Sequence, residues 1–174
     1  MTPLCNATRH LCAILVLGLS VAVVGPADAL DRPEGEVLLT VSGAIGVTND
    51  GDTAVFDLAM LEALEQVTFT TTTIWTEGTQ EFTGVSLRTL MDVLEIEGGT
   101  LKATAINDYA VDIPATDAID GGPIIAYLRN GQTMSVRDKG PLWVVYPYDD
   151  NASYKTETIY ARSIWQLDRM ILLD

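Results

Sequence analysis

The chain has 174 residues, 24 of them acidic against 10 basic, for a formal net charge of −14. Such a balance repels nucleic acid and anionic membranes and suits a solvated acidic surface. Cys5, His10 and Cys12 are its only sulfhydryl and imidazole groups. Beyond them, a zinc site of the usual kind, a haem ligand pair, a thiol redox centre and a Ser-His-Asp triad are all excluded.

Arg9 and His10 precede an apolar run from Leu11 to Val24, followed by Gly25, Pro26 and the small-residue step Ala27-Asp28-Ala29. That order predicts a cleavable secretory signal over residues 1–29. As a helix the run spans only about 21 Å, short of a hydrocarbon core of about 30 Å, so no stable membrane span is expected after cleavage. The leader has no twin arginine, which predicts the general secretory route and a periplasmic or secreted protein. Residues 30–174 are then expected to form a single domain without disulfides.

Val37–Val47 reads as a strand interrupted by Gly43 and Gly46, and Thr48–Thr53 as an Asn-Asp-Gly turn. Asp57 is placed to cap a short helix carrying Leu58, Leu61, Ala63, Leu64 and Val67 near one face. Thr68–Thr76 reads as a threonine-rich strand that includes Trp75, turned by Gly78. Ser86 then caps a second helix with Leu87, Leu90, Met91 and Leu94 at helical spacing, stopped by Gly98-Gly99. Leu101–Asn107 and Tyr109–Ile113 read as two strands around Asn107-Asp108, and Pro114–Pro123 as a loop. Pro123–Arg129 and Gln132–Val136 form a hairpin across Asn130-Gly131. Leu142–Tyr146 is a strand, and Ile159–Leu173 alternates well enough to close a sheet. Strands outnumber helices, so the expected class is α+β with a mostly antiparallel or mixed sheet and a few short helices.

Carboxylates dominate the chemistry left open. Asn49, Asp50 and Asp52 have a loose calcium-loop spacing without the bidentate Glu, and a turn explains the same residues. Asp108, Asp112, Asp117 and Asp120 could supply a paired-carboxylate hydrolase, or simply cap turns. Two segments place polar groups on a turn beside an aromatic strand: Asn107–Pro114 and Arg137–Pro147. That arrangement can build a pocket with apolar walls and a few fixed polar groups. The structural alternative is that Asn107-Asp108 only turns the chain, Arg137 and Asp138 pair locally, and Trp143 is core.

These segments, with Phe82-Thr83-Gly84-Val85-Ser86-Leu87, make the chain from Val41 to Trp165 resemble the sulfite-oxidase-type molybdopterin-binding oxidoreductase domain. Asn107-Asp108-Tyr109-Ala110-Val111-Asp112-Ile113-Pro114 and Lys139-Gly140-Pro141-Leu142-Trp143-Val144-Val145-Tyr146-Pro147 carry most of the likeness, the second being the more characteristic. The resemblance implies a compact α+β fold built around a mixed sheet. It also implies molybdenum held by a cysteine thiolate just before the Phe-x-Gly-Val-x-Leu step, where this chain has Thr70–Trp75. A threonine hydroxyl is a poor replacement for that soft ligand. For the cofactor phosphate, Arg88, Arg137 and Lys139 are the basic groups in matching segments.

The expected function is therefore a sulfite-oxidase-like module without molybdenum that binds a small ligand or a partner protein of the envelope, and no catalytic residue or protein metal ligand is assigned. Tyr109, Trp143 and Tyr146 would wall its ligand site, while Asn107, Asp108, Arg137 and Lys139 would be the polar groups, for an anionic or carbonyl-bearing small molecule. The alternatives are a molybdopterin-dependent oxidoreductase that holds its metal without cysteine, and an accessory subunit that docks on an envelope sensor or redox complex.

Overall fold

A computed structural model describes residues 30–173; the predicted signal segment, 1–29, lies outside them. In β1 (Leu39–Gly43), Leu39 and Val41 point into the core and Thr40 and Ser42 do not, the period-two pattern of a half-buried strand. β2 (Ala54–Phe56), which the sequence pattern did not reveal, is buried throughout and pairs antiparallel with β1. Between them the Asn-Asp-Gly segment is indeed a turn. Asn49 binds the Val55 backbone at both ends of its amide, accepting from Val55 N at 2.8 Å and donating to Val55 O at 2.9 Å.

Asp57 caps α1 (Leu58–Ala63) by accepting from Met60 N at 2.9 Å. The helix stops at Ala63, so Leu64 and Val67 do not extend its apolar face: Leu64 is the C-cap and Val67 already belongs to β3 (Gln66–Thr72). β3 pairs with β4 (Thr79–Ser86) from Gln66↔Val85 to Thr72↔Thr79. The threonine strand thus ends earlier than its composition suggests, and Trp75 sits in the connecting turn. β4 was hidden in the sequence because Gly84 takes an inward position. A Cβ there would collide with the Ile125 carbonyl oxygen on the neighbouring strand, so glycine allows the two backbones to approach.

Ser86 caps α2 (Leu87–Val93), accepting from Thr89 N at 2.8 Å, with Leu87, Leu90 and Met91 buried. The helix ends at Leu94, ahead of Gly98-Gly99. β5 (Thr100–Ala105) and β6 (Ala110–Pro114) form the expected hairpin, with Asp108 at φ 65 in its turn. A single 3-10 turn, Ala115–Asp117, lies in the loop that follows. β7 (Ile124–Arg129) and β8 (Gln132–Thr133) pair across Asn130 and Gly131, both at positive φ. β8 is shorter than expected, because Val136 enters a second 3-10 turn, Val136–Asp138.

β9 (Leu142–Val145) is wholly buried. The final segment is not one strand: α3 (Glu157–Arg162), capped by Thr156, precedes β10 (Trp165–Leu173). The sheet runs β2-β1-β10-β9-β7-β4-β3, with β5 and β6 joined through β10 and β8 through β7. All its pairings are antiparallel except β1 with β10. The fold is thus α+β around a mixed sheet. No described helix is long and apolar enough to cross a membrane.

Candidate functional site

At the end of β3 the threonine run meets the loop after β9. Thr72 donates to Asp149 from its backbone N (2.6 Å) and its hydroxyl (2.9 Å), and Asp149 N donates back to Thr71 Oγ1 at 3.1 Å. Lys155 Nζ completes the knot at 2.8 Å. The Lys155 ammonium, then the Thr72 N–H and hydroxyl, hold the Asp149 carboxyl down to about 2. This tie fixes where the chain turns, and the turn carries Trp75 inward. Thr73 Oγ1 accepts from Trp75 N at 3.1 Å.

Trp75 is the hub of an aromatic cluster. Its ring meets Trp165 (5.5 Å between centroids), Trp143 and Tyr160 (both 5.8 Å) and Tyr148 (6.3 Å), all in edge-to-face geometry. Beside it opens a cavity of about 450 Å³ walled by Trp75, Tyr109, Tyr160, Ile164 and Trp165, with Asn107 and Ser163 among its few polar groups. The inner wall has little polarity to offer. Ser163 Oγ donates to Ile159 O (2.8 Å) and accepts from Tyr148 Oη (2.6 Å), while the Ser163 carbonyl accepts from Trp143 Nε1 at 3.2 Å. Burial pushes the Tyr148 phenol up to about 12, so it stays a donor. Asn107 differs: its Oδ1 accepts from Tyr109 N at 3.2 Å, which leaves the amide N–H groups as its remaining donors.

The two sequence segments singled out for binding meet here through a residue that sequence reasoning missed. Gln166 accepts at its carbonyl from Ile106 N (2.9 Å) and donates its own N–H to Lys139 O (3.0 Å). Its side chain Nε2 donates to Val136 O at 2.8 Å. It lies at φ 54, at an irregularity in the β9–β10 register. The Asn107 turn, the Arg137–Lys139 turn and the start of β10 are therefore laced together. Lys139 Nζ sits 4.4 Å from the Trp165 ring centre and 5.7 Å from that of Trp143.

The predicted site residues divide accordingly. Asn107 and Tyr109 line the cavity, Tyr109 being 56% exposed. Lys139 lies over the ring of Trp165 without lining the cavity, and Arg137, also outside the lining, is exposed on the tethered 3-10 turn. Trp143 is fully buried behind Trp75 and Trp165. Asp108 turns outward and pairs with Arg169, which also holds Asp168 at 2.9 Å. Tyr146 lies in the core, donating to Asp117 Oδ2 at 2.7 Å, and Asp117 is clamped by Arg162 at 2.9 Å. Burial and then that hydrogen bond push the Tyr146 phenol far above its ordinary range. Arg88 stands apart. It pairs with Asp92 (3.4 Å) over a different depression, of about 670 Å³, shared with Glu95 and Glu97.

Trp75, Tyr160 and Trp165 are cavity residues that the sequence placed in a strand or a packed tail; their one visible signal was aromatic density. The donor set does not match a thiolate-held molybdenum–pterin. The Thr70–Trp75 segment offers hydroxyls and an indole, and the described residues contain neither cysteine nor histidine. Arg88, one of three basic groups expected at a phosphate, faces carboxylates instead. Among the described residues no three His, Cys, Asp or Glu side chains converge as a metal site.

The class that fold and site define is an α+β domain of sulfite-oxidase-like architecture with an aromatic cavity at one end of its sheet. Among solved structures, the sulfane dehydrogenase SoxCD from Paracoccus pantotrophus shares that architecture. It matches with a TM-score of 0.58 at 18% identity, over 78% of this chain and 38% of the SoxCD chain. The likeness is one of fold, and the chain spans well under half of that protein's length. No protein-family model matches the chain, and neither does any curated protein.

Proposed function

We propose that this protein is an exported small-ligand-binding module on a sulfite-oxidase-like scaffold, working without molybdenum. One observation carries the reading: where the resemblance places a metal-ligand cysteine, the chain turns Trp75 into an aromatic cluster and leaves a cavity of about 450 Å³ beside it. That volume is in the range of small-molecule sites, which pair apolar walls with a few oriented polar groups. Here the walls are indole and phenol rings, the polar groups are the Asn107 amide and Ser163, and Lys139 Nζ lies over the ring of Trp165, one of the walls.

Blocking the cavity tests this. Ala161 lies on its rim and is exposed, so Ala161→Trp fills the space without touching the core. Compounds from a metabolite panel that raise the thermal midpoint of the wild type should leave that of the variant unmoved. Equal shifts in both proteins would place binding elsewhere. Stoichiometric molybdenum in protein recovered from the envelope would instead favour the oxidoreductase alternative.

A further inference from the structure

Resting on the binding-module reading, we infer that the cavity takes a small aromatic carboxylate: a flat unsaturated body against Trp75, Tyr109 and Trp165, its anionic group toward Lys139 and the Asn107 amide. The walls choose the body. Tyr160 and Trp165 each stand edge-on to Trp75, at 5.8 and 5.5 Å, geometry that accepts another ring more readily than a saturated chain.

The charge arrangement chooses the sign. An aromatic cluster can also attract a cation, but here Lys139 Nζ already covers the Trp165 ring at 4.4 Å, and no carboxylate is among the cavity-lining residues. The nearby acids are engaged: Asp108 pairs with Arg169, and Asp138 accepts from Ser135 Oγ at 2.7 Å. Lys139 has no carboxylate partner among the described residues, as Arg32, Lys102, Arg129 and Arg137 have none, but it is the one of these cations that lies over a ring of the cavity wall. In a chain of net charge −14, a cation over the ring of one cavity wall, with an amide on the lining whose N–H groups have no partner among the described residues, forms a local anion-binding edge. A carboxylate drawn to Lys139 gains a charge-assisted hydrogen bond that the neutral analogue cannot form as strongly.

The three tryptophans of the chain, Trp75, Trp143 and Trp165, are all in this cluster, so intrinsic fluorescence reports the cavity directly. Three probes of like shape separate the possibilities: phenylacetate, phenylacetamide and phenyltrimethylammonium. The expected result is saturable quenching by phenylacetate, with phenylacetamide weaker by roughly tenfold, the size of one charge-assisted hydrogen bond. Lys139→Gln should bring acid and amide to equal affinity, and Lys139→Arg should keep the preference.

Equal affinities in the wild type, or tighter binding of the ammonium, would overturn the carboxylate assignment and leave the cavity a binding site. Silence from all three probes, while other panel compounds still shift the wild type and not Ala161→Trp, would overturn the ligand class alone. Silence together with unchanged panel shifts in Ala161→Trp would remove both readings.

Discussion

Tyr127 on β7 is 1% exposed, and its hydroxyl has no hydrogen-bond partner among the described residues. A buried polar group in that state subtracts stability, since it lost water on folding and gained nothing in return. Tyr127→Phe should therefore raise stability by about 1 kcal/mol, read as a higher urea midpoint with an unchanged slope. A fall would mean that the hydroxyl has a partner after all. Asp149 makes the opposite case. Its carboxyl is held near 2 by Lys155 and Thr72, below the ordinary 3.8, so the folded state favours the ionised form. The stability this contributes is complete above pH 4 and fades as pH falls from 4 toward 2. In Asp149→Asn, acid titration of the thermal midpoint should be flatter across that window. An identical acid limb in both proteins would remove the Thr72–Asp149–Lys155 knot from the account.

Elements declared themselves in proportion to how local their causes are. Asp57 and Ser86 cap α1 and α2 as their side-chain chemistry requires, and Asn130-Gly131 turns β7 into β8 through positive φ. β4 stayed hidden because its Gly84 answers to Ala126 on β7, distant in sequence, and α3 because Ile159–Leu173 mixes two periods. The site was half legible for the same reason. The Asn107 and Lys139 segments showed polar turns beside aromatic strands, but their meeting depends on Gln166, whose role comes from a register irregularity that no periodicity reveals. Gln166→Gly tests the lacing. Glycine is at ease at φ 54, so the backbone bonds to Ile106 and Lys139 should persist while the Val136 tether is lost. The expected outcome is a thermal midpoint within a few degrees of wild type and ligand affinity lowered several-fold. Unchanged affinity would show that the Val136–Asp138 turn holds its place unaided.

For the whole molecule, the likeness to SoxCD is one of fold, and the chemistry of the site stands on this chain's own residues. The sheet and its helices are those of a sulfite-oxidase-like domain, while the segment where the resemblance places a thiolate supplies threonine hydroxyls and the Trp75 ring. A scaffold can keep its architecture while its site changes occupation, because the sheet depends on buried aliphatic residues and the site on a few turn residues. The measurement that bears most directly on this is native mass spectrometry of the natively purified protein. The account predicts the mass of the processed chain, alone or with one small organic ligand that collisional activation strips away. A complex heavier by a pterin carrying one molybdenum atom would contradict it.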